Sequence, residues 1–219
     1  MATNPDPTPR RDFTDVVTRL PPPNAEDSIM TNPDAILQRL KDGNRRFVSD
    51  ARENNLQDAA RRDDLTGGQS PWAIVLSCAD SRVVPELAFD TGLGELFVCR
   101  VAGNVANTST IASIEYAVAH LKTPVIVVLG HEACGAVTAA VAGGDNGYNL
   151  NHLLAHIEPA KSACGAGADL ADVVKTNAQL TVKDLRTRSA IINGAVEAGT
   201  LRIVPAYYNL NGGGVDFLD

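Results

Sequence analysis

Two short segments of this 219-residue chain concentrate residue types able to do chemistry: Cys78-Ala79-Asp80-Ser81-Arg82 and His131-Glu132-Ala133-Cys134. Two thiolates and an imidazole suit Zn²⁺, and three protein ligands leave a fourth position for water or substrate, whereas a structural zinc usually has four closed ligands. Asp80 and Arg82 follow the first cysteine by two and four residues. Beside a metal, a carboxylate held by a guanidinium is a candidate for orienting the reacting water. Singly these signals are weak. A lone cysteine at a strand end is more often a small buried hydrophobe, an HxxC pair has many chance matches, and an Asp-Arg pair in a turn is as often mere loop structure. The weight rests on the combination, and so on elements that bring positions 78 and 131 together.

Those elements are legible. Ala73 to Ser77, Leu96 to Val101 and Pro124 to Leu129 are short apolar runs bounded by Gly, Pro or polar residues, the pattern of strands buried on both faces. Between the last two, Ser109 to Leu121 places Ile111, Ile114, Ala117, Val118 and Leu121 on one face, a crossover helix of a βαβ unit that makes the sheet parallel. Both chemical segments directly follow strands, and the carboxyl edge of an open parallel sheet is where sites form. Before the first strand, Asn32 or Thr31 caps a helix with Pro33 in its first turn and Ile36, Leu37, Leu40, Phe47 and Val48 at helical intervals, which Gly43 weakens slightly. After Leu129 helical patterns cover Cys134 to Val141, Leu153 to Lys161, and Leu170 to Ala198 with a break inside. Gly143 to Asn151 reads as a flexible loop. Leu201 to Val204 and Val215 to Leu218 add strands, the latter at an edge. The expected architecture is α/β: a mostly parallel four- or five-stranded sheet flanked by helices, with an N-terminal arm.

The arm is compositional. Seven of the 12 prolines lie between Pro5 and Pro33, including Pro21-Pro22-Pro23, so residues 1–32 read as a Pro-rich arm and residues 33–219 as the domain. Phe13, Val16, Val17 and Leu20 have helical spacing and could dock on the body or on a second subunit. With 44% hydrophobic residues the body can bury a core, and a net charge of −7 argues against nucleic acid or an anionic membrane as the main partner. The longest stretch without charges, Leu65 to Ala79, is too short and too interrupted to span a bilayer. No apolar run follows Arg10-Arg11, so a soluble cytoplasmic protein is expected, with four cysteines used as thiols and not as staples.

CADSR followed by HEACGAV resembles the β-class carbonic anhydrases. The likeness extends through Gly43-Asn44-Arg45-Arg46-Phe47, Gly68-Gln69-Ser70-Pro71, Pro85-Glu86, Gly94-Glu95-Leu96-Phe97-Val98, Ala102-Gly103-Asn104 and Ile114-Glu115-Tyr116-Ala117, and covers roughly residues 33 to 218. The resemblance implies one Zn²⁺ per chain on Cys78, His131 and Cys134, an Asp80–Arg82 catalytic dyad, and reversible hydration of CO₂ to bicarbonate and a proton. Gln69, Phe97 and Tyr116 stand where the plant-like subgroup has its substrate-binding pocket residues, although on their own Phe97 and Tyr116 read as core aromatics. It further implies a homodimer or a tetramer built from dimers, with pocket residues contributed by both chains.

A second subgroup binds bicarbonate at a regulatory site with a Trp three residues before the first zinc Cys. Val75 stands there, and Trp72 lies six before, so no such site is expected even though Arg100 matches an arginine of it. Pro205 replaces a common Gly before Ala206-Tyr207-Tyr208, which bears on strand geometry and not on the metal. No proton relay is assigned to His120, His152 or His156, and Cys99 and Cys164 are expected to be buried thiols. Two rival readings keep the metal: hydrolysis of CS₂ or COS on the same scaffold, or a non-catalytic zinc module with Asp80 as fourth ligand. A metal-free nucleotide-binding domain is disfavoured because Gly92-Leu93-Gly94 precedes a strand instead of following one.

Overall fold

A computed structural model describes residues 32–218, so the expected arm lies outside the described residues apart from Asn32. Five strands form one sheet in the order β2-β1-β3-β4-β5, with β1 at Ala73–Ser77, β2 at Leu96–Arg100, β3 at Val125–His131, β4 at Arg202–Tyr208 and β5 at Val215–Phe217. All neighbours are parallel except β4 and β5. The expected mostly parallel α/β sheet is what forms, with five strands.

Asn32 caps α1 (Pro33–Val48), its side chain accepting the Asp34 amide at 3.0 Å, and Ile36, Leu37 and Leu40 face inward. Gly43 has a reason beyond tolerance: a Cβ there would lie 2.0 Å from the Phe89 carbonyl oxygen, so the helix lies against that backbone only because the side chain is missing. The remaining helices are α2 (Ala59–Asp64), α3 (Pro85–Ala88), α4 (Thr108–Ala119), α5 (Gly135–Ala142), α6 (Tyr148–Leu154), α7 (Glu158–Cys164), α8 (Leu170–Arg188) and α9 (Ala190–Glu197). Alternate residues of the strands feed two cores. Ala73, Val75, Val125, Val127 and Leu129 pack under α1 with Phe89, whereas Ile74, Leu76, Ile126 and Val128 pack with Ile111 and Ile114 of α4, Leu185 of α8 and Ile192 of α9. Each such fully buried aliphatic chain contributes about 1.5–3 kcal/mol.

Several boundaries differ from the sequence reading. β3 runs two residues further, so His131 ends the strand instead of following it. β4 continues through Pro205 to Tyr208, with Pro205 in register with Val128 and its carbonyl accepting the Leu218 amide. β2 is an edge strand whose first four residues are only half-buried and whose last, Arg100, is exposed, although its apolar run suggests cover on both faces. The loop expected over 143–151 is shorter, because α6 begins at Tyr148, and the helix expected over Leu153 to Lys161 is two short helices broken around 155–157. The break inside Leu170 to Ala198 falls at Ser189, whose extended backbone ends α8 and whose hydroxyl caps α9 by accepting the Ile192 amide. Cys99 and Cys164 are half-buried, not buried, and none of the four cysteines is in a disulfide. Among the described residues no helix is long and apolar enough to cross a membrane.

Candidate metal centre

From β1 the chain passes through α3 to β2 on one side, and from β3 through α5 to α9 to β4 on the other. The gap between the carboxyl ends of β1 and β3 is therefore the switch point of the sheet, where a crevice must open. Cys78 follows β1 directly, His131 closes β3, and Ser77 pairs with Leu129 across the two strands. Cys134 then arrives as N-cap of α5, after Ala133 takes a left-handed conformation at φ 52°. These turns bring the Cys78 and Cys134 sulfurs and an imidazole nitrogen of His131 within 4.8 Å of one another, all three residues buried.

The donor set fits zinc. The sulfurs lie 4.0 Å apart, against about 3.8 Å for two thiolates at ~2.3 Å in a tetrahedron. His131 Nδ1 lies 2.8 Å from the Glu132 carbonyl oxygen. Since a carbonyl only accepts, Nδ1 carries the proton and Nε2 presents its lone pair. That Nε2 is fully buried with no hydrogen-bond partner among the described residues, an arrangement that costs free energy unless a ligand takes the lone pair. Glu132 in turn accepts the Leu210 and Asn211 amides on one carboxylate oxygen, at 2.8 and 3.2 Å, anchoring the segment to the turn after β4.

The electrostatics favour anionic sulfur. The Cys78 thiol is held well below its usual range by hydrogen bonding from Cys134 and from the amides of Gly103 and Asp80, against the opposing effect of burial. Cys134 is pushed up by its bond to Cys78 and by burial, so without a metal the pair shares one proton. The first amides of α5 favour its anion, as a helix N-terminus does.

Asp80 lies beside this group, with Oδ2 3.9 Å from His131 Nε2. Arg82 donates from Nε to Oδ1 at 2.9 Å and from Nη2 to Oδ2 at 2.7 Å, and its own amide donates to Oδ1 at 3.0 Å. This pairing drives the Asp80 carboxyl far below the usual carboxylate range. Sequence reasoning did not give Arg100 a role here. From the end of β2 its guanidinium donates to the carbonyls of Cys78 at 2.9 Å and Asp80 at 2.6 Å, fixing the loop that carries both. Sequence reasoning also missed Gly103 as a donor to Cys78; a glycine just after a strand, within Ala102-Gly103-Asn104, is the signal available.

Within a single chain the three expected pocket residues stand away from the metal ligands. Phe97 pairs with Ile74, four residues and so about 13 Å along the strand from Cys78. Tyr116 is on α4, its ring 6.4 Å from that of Phe97 and 5.4 Å from that of His120. Gln69 is exposed and precedes β1, at the end opposite Cys78. Trp72 is a structural residue, its indole donating to Glu95 at 3.3 Å beneath the Arg39 guanidinium.

A mostly parallel α/β sheet with a buried S₂N donor set at its switch point and an ion-paired carboxylate beside it has the make-up of a metal-dependent enzyme. The family model described as carbonic anhydrase matches residues 73–215. The chain is 42% identical to a carbonic anhydrase of Mycolicibacterium smegmatis over 85% of its own length and 93% of that protein. Among solved structures, a Coccomyxa β-carbonic anhydrase in complex with acetazolamide superposes with a TM-score of 0.68 at 27% identity, over 83% of this chain and 86% of that one. One of two tetrameric β-carbonic anhydrases from Sordaria macrospora gives 0.66 at 25% identity, over 84% and 97%. The chain belongs to the carbonic anhydrase family, in its β class.

Proposed function

We propose that the protein hydrates CO₂ reversibly to bicarbonate and a proton, using one Zn²⁺ per chain held by Cys78, His131 and Cys134. The observation that carries this reading is the orphaned, fully buried His131 Nε2 set against two sulfurs 4.0 Å apart. Zinc, when bound, supplies a Lewis acid that lowers the pKa of water from about 15.7 toward ~7. Asp80 Oδ2 accepts a hydrogen bond from the attacking oxygen and so aims a lone pair of that oxygen at the carbon of CO₂. Arg82 keeps Asp80 ionised and turned toward itself, which supports a catalytic role over the rival one of Asp80 as fourth ligand, because swinging onto the metal would break the two-pronged Arg82 pairing, whereas Oδ2 keeps a second lone pair for one more hydrogen bond.

Gln69, Phe97 and Tyr116 line the pocket, but from a second copy of the chain, since within one chain they stand at the far end of β1 from Cys78. The assembly is a homodimer or a tetramer of dimers, in keeping with the tetrameric relative from Sordaria macrospora. A cytoplasmic location is in keeping with cysteines used as thiols, Cys78 and Cys134 on the metal and Cys99 and Cys164 as half-buried side chains.

The test is zinc content together with stopped-flow CO₂ hydration. We expect one zinc per chain and fast hydration at pH 8.5, and a rate equal to buffer from zinc-loaded protein rejects the reaction. COS and CS₂ run alongside separate the hydrolase reading. Cys78→Ser retaining full zinc and full rate rejects the ligand assignment alone.

A further inference from the structure

We propose that Asn177 of α8 is a positioning residue for the Cys78 sulfur, acting through the backbone of Gly103. The inference rests on the reading of Cys78 as a metal ligand. The Gly103 amide donates to Cys78 Sγ at 3.3 Å, and the Gly103 carbonyl accepts from Asn177 Nδ2 at 2.9 Å. Gly103 sits at φ 70°, ψ 15°. A glycine has many other conformations within reach, so nothing intrinsic to it keeps the amide on the sulfur. The two bonds grip it from both sides: the sulfur takes its N–H, and Asn177 fixes the direction of its C=O and with it ψ.

The turn is not what its own residues would choose. A Cβ at position 103 would lie 2.7 Å from Ile157 Cδ1 and 3.3 Å from Ala136 Cβ, so its surroundings are packed around a missing side chain. The next residue, Asn104, is also left-handed, at φ 45°, and its fully buried amide has no partner on either Oδ1 or Nδ2 among the described residues. A conformation that leaves a buried amide unpaired persists only when contacts from outside over-determine it. Those contacts come from α8. Asn177, itself 2% exposed, takes Gly103, while Arg188 at the helix end donates to the Ala106 carbonyl. The same helix is pressed against Gly130, where a Cβ would meet Val174 Cγ1 at 2.8 Å, one residue before His131. One helix thus touches the backbone that serves two of the three donors, and Asn177 is its polar contact to the sulfur side.

An N–H···S bond withdraws charge from a thiolate and fixes its lone pairs. Without Asn177 the Gly103 amide leaves the sulfur, which then donates more strongly to a bound metal but is less pre-organised. In the Co²⁺-substituted protein, Asn177→Leu is expected to move the thiolate-to-cobalt charge-transfer band to longer wavelength and to weaken Zn²⁺ binding about 10–100-fold. Arg188→Met, which frees the other grip of α8, is expected to lower the melting temperature with the band unmoved. Superimposable spectra for wild type and Asn177→Leu overturn the proposal, as does an equal band shift in Arg188→Met. Should Asn177→Leu not fold, the wild-type protein loaded with ¹¹³Cd decides: a ¹H–¹¹³Cd correlation from the Gly103 amide across the sulfur is expected, and its absence overturns the proposal. If wild-type protein takes up neither cobalt nor cadmium stoichiometrically, it is the metal-site reading that fails.

Discussion

Arg82 and Asp80 meet fork to fork, two side-chain bonds of 2.9 and 2.7 Å reinforced by the Arg82 amide on the same carboxylate. A lysine keeps the charge but offers no rigid fork, so it leaves one carboxylate oxygen free to rotate toward the metal site. We expect Arg82→Lys to lower kcat/KM for CO₂ hydration about 10–100-fold with zinc content unchanged, read by stopped-flow and metal analysis. A near-wild-type rate would count against a positioning function for Arg82.

Acid sensitivity should be visible at Asp90, remote from the metal centre. Burial disfavours its charge, but Arg46 at 2.6 Å and the amides of Glu53 and Asn54 outweigh this and hold its carboxyl below the ordinary value. A depressed folded-state pKa contributes stability that is fully present above the unfolded value of about 3.9 and is lost as pH falls through the folded one. Asp90→Asn tolerates the left-handed backbone there (φ 48°). It should cost about 1–3 kcal/mol at pH 7, with the difference from wild type shrinking toward zero as pH falls through the folded-state value. Urea unfolding across that range gives the answer, and a pH-independent difference is the adverse result.

Gly43→Ala sets two effects against each other. Helix propensity favours alanine by about 1 kcal/mol, but the added methyl would meet the Phe89 carbonyl oxygen at 2.0 Å, and backbone cannot swing aside as a side chain can. We expect net destabilisation of about 2 kcal/mol or more, measured by thermal or urea unfolding. A stabilised variant would mean that α1 and the Phe89 segment do not touch in solution.

Much of this was readable in the chain. The apolar runs gave the strands, and the spacing of Ile111, Ile114, Ala117 and Val118 gave α4, because burial imposes period on sequence. Strand ends plus the switch-point rule brought Cys78 to His131 without knowledge of any contact. What escaped were relations that carry no period. Pro205 ordinarily interrupts a central strand, so the apolar run Leu201 to Val204 understates β4. β2 looks like an interior strand because its apolar residues are there, yet in the single chain it is an edge. Asn177 was hidden inside an amphipathic helix, since one polar residue among Val173, Val174 and Ala178 declares its partner only in three dimensions.

The same half-buried edge and the remote pocket residues lead to a test of shared sites. Gln69 is exposed, so Gln69→Ala should change stability by no more than about 0.5 kcal/mol, and any loss of rate must then come from substrate handling. If each site combines the metal ligands of one chain with Gln69 of its partner, a Cys78→Ser chain and a Gln69→Ala chain are complementary. In a mixed dimer the Gln69→Ala chain binds zinc and receives an intact Gln69 from the other. Random mixing makes half the dimers mixed, each with one whole site of two, so CO₂ hydration should rise to about a quarter of the wild-type value after dissociation and reassociation. Cys78→Ser alone should be inactive and Gln69→Ala alone impaired. A mixture whose rate is only the average of its two components places Gln69 outside the neighbouring chain's site.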